Sequence, residues 1–225
     1  MNWLWRWLES WRAGGKSAVR RVIVLEIDGL EPALVDEYLE QGLLHSLALL
    51  SDIGARVPLV NSPTYAIGGS ICDALRKSGV RTVELLPLEP PKPTDLTAIC
   101  AVDRGQQQRL FAALARLRPA VVVCKFDMPA RLKQLFGPQP DESQRYVLRD
   151  VYARMDEIVG KAFSFVDEKT ALLAVIRGES SGDVAPTSAE TGLLYSSRKL
   201  SDSASEGAEL AAVVTGLLNP PAIDS

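Results

Sequence analysis

A carboxylate directly follows an apolar run near the start of the chain. Residues 22–27 read VIVLEI, and Asp28 and Gly29 come next. A carboxylate at the end of a buried strand can bind a divalent metal, and such a metal can hold a phosphate group during its hydrolysis. The same carboxylate can also cap the backbone that follows the strand. The residues around Asp28 therefore leave a metal-binding and a structural interpretation open.

Further charged residues follow a later apolar run. Residues 170–176 read TALLAVI; Arg177 comes next, with Glu179 and Asp183 shortly after. Mg²⁺ and Mn²⁺ prefer oxygen ligands, so Asp28 with Glu179 or Asp183 is one metal site that these residues allow. Arg177 instead favours contact with an anion such as phosphate, because its guanidinium carries a fixed positive charge.

The pattern of elements predicts the sheet on which these residues lie. Short apolar runs typical of buried strands occupy residues 22–27, 81–86, 120–126 and 170–176, with a further strand at 192–195. Helical patterns occupy residues 32–41, 43–52, 70–78, 105–117, 141–166 and 207–218. This alternation predicts a three-layer α/β fold with a mostly parallel central sheet and helices on both faces. Ligand sites in such sheets lie at the carboxyl ends of the strands.

The N-terminal segment differs from the rest of the chain, because all four tryptophans lie within it. On a helix, residues recurring at i, i+3/i+4 and i+7 form one apolar stripe. The stripe consists of Trp3, Leu4, Trp7, Leu8 and Trp11. Gly14 and Gly15 end this pattern and supply a hinge. We therefore divide the chain into an amphipathic helix and hinge, residues 1–19, and an α/β domain, residues 20–225.

Two interpretations of the N-terminal helix are open. Its stripe can lie in a membrane interface, with the indole rings at the depth of the headgroups. It can instead pack on protein, either a partner or the chain's own domain. The density of tryptophan and the glycine hinge favour an external surface, so we expect residues 1–15 to contact a membrane or a protein partner.

Composition excludes several classes of protein. The net charge of −3 gives no electrostatic support to nucleic-acid binding. The three cysteines are far apart, with no CxxC pair, which favours free thiols in a reducing compartment. No apolar run is long enough to cross a bilayer, and the N-terminus lacks the apolar core of a signal peptide. We expect a cytoplasmic protein, peripheral to the membrane if the helix binds lipid, and the sequence defines no oligomeric state.

Three long segments resemble the type I phosphodiesterase/nucleotide pyrophosphatase branch of the alkaline phosphatase superfamily. They are VIVLEIDGLEPALVDEYLEQGLLHSLALLSDIGA, PAVVVCKFDMPARLKQLF and YVLRDVYARMDEIVGKAFSFVDEKTALLAVI. With shorter segments, the resemblance covers about residues 21–221 in a shortened form. It implies an alkaline phosphatase-like core and, in an active member, two metal ions that activate a threonine or serine nucleophile through three aspartates and three histidines.

The chain departs from that ligand set at most positions. Asp28 matches the first metal-binding aspartate, but Ala130 and Gln134 stand where the family has an aspartate and a histidine. Arg177 begins the segment that replaces Ser-Asp-His-Gly, and no hydroxyl lies in the Thr-Gly setting of the nucleophile. The single histidine, His45, stands at a structural position. The resemblance thus implies the fold and leaves Asp28 as a vestigial metal ligand.

We therefore predict a catalytically silent member of this family that acts as a scaffold or interaction domain, attached through its N-terminal helix and without a cofactor. The alternative is residual metal-dependent phosphoester hydrolysis, with one divalent metal at a rebuilt site around Asp28. A sensor that holds phosphate or a nucleotide at Arg177 is a third hypothesis. Each hypothesis depends on what surrounds Asp28 and Arg177 at the ends of their strands.

Overall fold

A computed structural model describes residues 19–59, 71–87, 95–116, 119–178, 192–200 and 210–219. Six strands lie in these ranges: β1 (Arg21–Asp28), β2 (Ala55–Leu59), β3 (Thr82–Leu85), β4 (Val121–Phe126), β5 (Thr170–Arg177) and β6 (Gly192–Ser196). The helices are α1 (Pro32–Glu40), α2 (His45–Ile53), α3 (Ile71–Lys77), α4 (Leu96–Arg116), α5 (Met128–Phe136), α6 (Glu142–Phe163) and α7 (Leu210–Leu218). Within the described ranges, no helix is both long and apolar enough to cross a lipid bilayer.

The strands form one mixed sheet in the order β2-β6-β5-β1-β4-β3. β1 lies at its centre, parallel to β4 on one side and to β5 on the other, and β3 is parallel to β4. β6 is antiparallel to both β5 and β2. All the parallel strands therefore present their carboxyl ends at one edge, which places the residues after β1, β4 and β5 side by side.

Helices cover both faces of the sheet, as the alternating pattern predicted. The odd-numbered side chains of β1 pack with α1, α2, α4, α5 and α6, and the even-numbered ones pack towards α3 and α7. β1 is buried on both faces, as expected for an almost continuously apolar strand. The predicted three-layer α/β fold is confirmed.

Two side chains of α6 fix the helices that follow β1. The Tyr152 hydroxyl accepts a hydrogen bond from the Glu31 backbone N–H at 3.0 Å, just before α1. The Asp156 carboxylate accepts hydrogen bonds from the N–H groups of Ser46 and Leu47, at 2.9 and 2.8 Å. Because α2 has no side-chain cap of its own, Asp156 caps it from a neighbouring helix.

The structure differs from the sequence-based elements in three places. The edge strand β2 was not predicted, because Pro58 interrupts a short segment in which only Val57 and Leu59 are buried. Helix α5 follows β4 almost at once and was also not predicted; Pro129 lies in its first turn, where proline is tolerated. Helix α4 begins at Leu96, well before the predicted residue 105.

Candidate site at the carboxyl ends of the central strands

Asp28 and Arg177 lie side by side at the ends of two neighbouring strands. They are the last residues of β1 and β5, and they are partners in the register of the parallel pair. The N–H of Gly29 donates a hydrogen bond to the carbonyl oxygen of Arg177 at 2.9 Å, which continues the pairing past the end of β1. The vestigial metal candidate and the candidate anion contact thus belong to one local arrangement.

A lysine on β4 pairs with the Asp28 carboxylate. The Lys125 ammonium nitrogen lies 2.5 Å from Asp28 Oδ2, and the two side chains are 34% and 22% exposed. The other oxygen, Oδ1, is buried, and no side chain or backbone group of the described residues forms a hydrogen bond with it. Lys125 therefore neutralises Asp28, while Asp28 Oδ1 keeps a lone pair that no described group uses.

A second carboxylate lies beside this pair, on the same face of β1. Glu26 is 8% exposed, and its Oε1 lies 3.7 Å from a guanidinium nitrogen of Arg177. Burial raises the pKa of Glu26 above its ordinary value, and the charge of Asp28 acts in the same direction, whereas Arg177 and Lys125 lower it. Glu26, Asp28, Lys125 and Arg177 form a compact group of two acids and two bases, which we call the strand-end quartet.

The quartet compensates its own charge without an added ion. Each carboxylate has a cation of the chain within 4 Å. A divalent cation placed at Asp28 would meet the Lys125 ammonium at close range, and like charges at such distances repel strongly where water is partly excluded. The arrangement therefore favours binding of neither a metal nor a free anion while both pairs are intact.

Ala130, which the sequence resemblance places where the family has an aspartate, lies next to Gly29 and has no oxygen atom in its side chain. Gly29 has a φ of +90°, and a Cβ added there would lie 2.6 Å from Ala130 Cα and 2.9 Å from Ala130 Cβ. The first turn of α5 thus packs directly on the chain after Asp28. Asp127, just before α5, forms an ion pair with Arg131 at 2.6 Å on its own helix.

The remaining predicted positions divide into those that the structure places and those outside the described residues. Gln134 and His45 are exposed on α5 and at the start of α2. The stripe of residues 3–11, the carboxylates Glu179 and Asp183 and the hydroxyls of 62–70 lie outside the described residues. Among the described residues, no three His, Cys, Asp or Glu side chains are grouped so that they could hold a metal ion. These side chains do not fit the two-metal site that the resemblance describes.

Sequence reasoning missed Glu26 and Lys125, although both carry a recognisable signal. Each is a charged residue inside a run of apolar ones, VIVLEI and VVVCKF, where a buried strand is expected to have none. In the structure the two are register partners across β1 and β4. A charge within an apolar strand predicts a partner on a neighbouring strand, because an unpaired buried charge is strongly destabilising.

Comparison with known proteins bears on the fold. No protein family model and no curated protein sequence matches the chain. Among solved structures, it is similar to a 2-O GAG sulfatase, with a TM-score of 0.53 and 11% identity over 80% of this chain and 64% of that one. It is also similar to phosphonoacetate hydrolase from Sinorhizobium meliloti 1021 in complex with phosphonoformate, with a TM-score of 0.48 and 12% identity over 72% of this chain and 57% of that one.

The likeness to the sulfatase shows an alkaline phosphatase-like α/β fold, as the sequence had predicted. At such low identity it shows the fold alone, and the narrower resemblance to the phosphodiesterase branch stays a prediction. The chain spans less than two thirds of the length of either protein.

Proposed function

We propose that the chain is a non-catalytic alkaline phosphatase-like domain that serves as a scaffold or interaction domain. The observation that supports this most directly is the pairing of Asp28 with Lys125 at 2.5 Å, beside Arg177 and Glu26. An enzyme that uses metals to cleave a phosphoester needs metal ions with open coordination positions that water and substrate can occupy. Here side chains supply the positive charge. A side-chain ammonium has no coordination position at which water could be activated or a phosphate oxygen bound, as a metal ion has.

Hydrolysis assays test this proposal. The protein should hydrolyse nitrophenyl phosphate monoesters and diesters, with Zn²⁺, Mn²⁺ or Mg²⁺ added, no faster than its Asp28→Ala variant does. The physical reason is that Lys125 and Arg177 already neutralise the two carboxylates, so the quartet offers no open metal position. Saturable turnover that disappears on Asp28→Ala would contradict the proposal, provided that the variant keeps the melting temperature of a folded protein.

One observation favours a second candidate function, the residual hydrolase with a single metal at Asp28. Asp28 Oδ1 and Glu26 Oε1 are both buried without a hydrogen bond from the described residues, so each keeps a lone pair that a Mg²⁺ or Mn²⁺ ion could accept. Binding of Mn²⁺ that is tightened by Lys125→Met and abolished by Asp28→Asn would support this candidate. If Mn²⁺ binds no better to Lys125→Met than to a Lys77→Met control, whose lysine is exposed on α3, the candidate fails.

We further propose that residues 1–15 attach the domain to a membrane surface or to a protein partner. The support is the apolar stripe of Trp3, Leu4, Trp7, Leu8 and Trp11, together with the hinge at Gly14 and Gly15. Deletion of residues 1–15 is expected to move the protein from the membrane or complex fraction of a native extract into the free fraction. Co-purification from the same extract then distinguishes lipid from protein.

The deletion has an informative control. Exchanging both Leu4 and Leu8 for glutamate keeps the length of the segment but interrupts the stripe, and it should have the same effect as the deletion. Arg6→Gln changes the opposite side of the predicted helix and should leave the apolar contact intact. Unchanged fractionation of the deletion variant would contradict attachment through this segment.

A further inference from the structure

A pocket of about 220 Å³ lies between α6 and the part of the chain that contains α1 and the start of α2. Its walls are aromatic and aliphatic side chains from these elements: Tyr38, Leu43, Leu44, Tyr146, Tyr152 and Ala153. A cavity of about 150 Å³ can hold a benzene molecule, so this pocket has room for one phenyl ring or one branched aliphatic side chain. No member of the strand-end quartet lines it, so it is a separate candidate site.

Contacts within the chain hold the walls of this pocket in place. The Leu43 N–H donates to the carbonyl oxygen of Tyr38 at 2.9 Å, which folds the segment after α1 back onto that helix. The rings of Tyr38 and Tyr152 pack edge to face, with centroids 5.0 Å apart. The Tyr152 hydroxyl and the Asp156 carboxylate also tie the starts of α1 and α2 to α6. A ligand therefore meets walls that are already fixed, which lowers the entropic cost of binding.

Two opposite charges line the same pocket. Arg149 and Asp150 are neighbours on α6, and both are exposed. Neither forms an ion pair or a side-chain hydrogen bond with another residue of the described ranges, whereas Arg154, farther along the helix, has an acidic partner. Burial raises the pKa of Tyr38 and of Tyr152, so both phenols are uncharged at neutral pH. The lining thus offers a ligand one base, one acid and an apolar interior.

We propose that this pocket binds a free α-amino acid whose side chain has the size of leucine or phenylalanine. The side chain fills the apolar interior, the α-carboxylate pairs with the Arg149 guanidinium, and the α-ammonium pairs with the Asp150 carboxylate. A zwitterion with an apolar side chain satisfies all three features of the lining at once. An amine or a carboxylic acid of the same size leaves one of the two charges without a partner. The site is independent of the proposed scaffold function and of attachment through residues 1–15.

Titration of the full-length protein with L-phenylalanine, followed by NMR of its backbone amides, tests this proposal. We expect saturable shifts at the amides of Leu43, Leu44 and Ala153, with L-leucine competing for the same site. Phenethylamine lacks the carboxylate and 3-phenylpropionate lacks the ammonium group, so each should bind about fivefold more weakly than L-phenylalanine. Glycine, which lacks the apolar side chain, should not produce these shifts.

Variants of the two charged residues assign the contacts. Arg149→Gln should weaken binding of L-phenylalanine and of 3-phenylpropionate about fivefold and leave phenethylamine unaffected, whereas Asp150→Asn should weaken L-phenylalanine and phenethylamine and spare 3-phenylpropionate. Arg145→Gln, an exposed position on α6 that does not line the pocket, is the control and should change none of these affinities. The melting temperature of each variant shows that it is folded.

Three results would overturn the proposal. The first is the absence of saturable shifts with either amino acid at millimolar concentration. The second is equal binding of L-phenylalanine, phenethylamine and 3-phenylpropionate, which would mean that Arg149 and Asp150 do not read the charges of the ligand. The third is binding of N-acetyl-phenylalaninamide as tightly as L-phenylalanine, because that compound has neither charge; the pocket would then accept a side chain within a peptide rather than a free amino acid.

Discussion

Gly29→Ala is expected to cost about 3 kcal/mol or more in the free energy of unfolding, lowering the melting temperature by about 10 °C. Two effects combine at this position. The φ of +90° is one that residues with a side chain rarely adopt, and the added Cβ would meet the backbone of Ala130, its nitrogen first and its Cα at 2.6 Å. Since the obstacle is backbone rather than a flexible side chain, α5 itself must move. Thermal and urea denaturation measure the effect.

A matched glycine separates the two causes. Gly79 has a similar φ of +78°, but a Cβ there meets nothing within 4 Å, so Gly79→Ala should cost only about 1 kcal/mol. Adding Ala130→Gly to Gly29→Ala should not restore stability, because the nearest obstacle is a main-chain atom. If Gly29→Ala costs no more than Gly79→Ala, α5 does not pack on the end of β1 as described.

The central strands could be predicted from the sequence because burial on both faces leaves a local signature. Continuous apolar runs such as VIVLEI and TALLAVI are typical of strands that are buried on both faces of a sheet. β2 and α5 lack such a signature: β2 buries only alternate residues of a proline-containing edge strand, and α5 is a single short helix that directly follows β4. Their identity depends on what they pack against, which no local pattern contains.

Which members of the strand-end quartet pair with each other was beyond prediction for a related reason. Asp28 and Arg177 were recognised because each ends an apolar run, but their pairing depends on register between strands far apart in the chain. Asp28 is the register partner of Arg177 and Glu26 that of Lys125, and this alignment of β1 between β4 and β5 brings Asp28 to Lys125 and Glu26 to Arg177 as ion pairs. The resemblance indicated which ligands were absent; the structure shows which side chains neutralise the remaining carboxylate.

Asp156→Asn is expected to cost about 2 to 3 kcal/mol, because it removes one of two hydrogen bonds that cap α2. The carboxylate is 5% exposed and accepts from the N–H groups of both Ser46 and Leu47, and bonds to a charged acceptor are worth about 1.5–3 kcal/mol each. An asparagine offers one carbonyl oxygen to two donors and turns its own N–H group towards the other. Urea denaturation should show the loss, and hydrogen exchange should locate it at the first turn of α2.

Asp150→Asn supplies the control, since Asp150 lies on the same helix but is exposed, and it should change stability by less than about 0.5 kcal/mol. Tyr152 and Asp156 lie four residues apart on α6. In the structure both bind backbone groups at the starts of α1 and α2. If Asp156→Asn leaves stability unchanged but alters binding of a ligand or partner, Asp156 has a functional role. The expected loss of stability would instead identify Asp156 as a structural support for the start of α2.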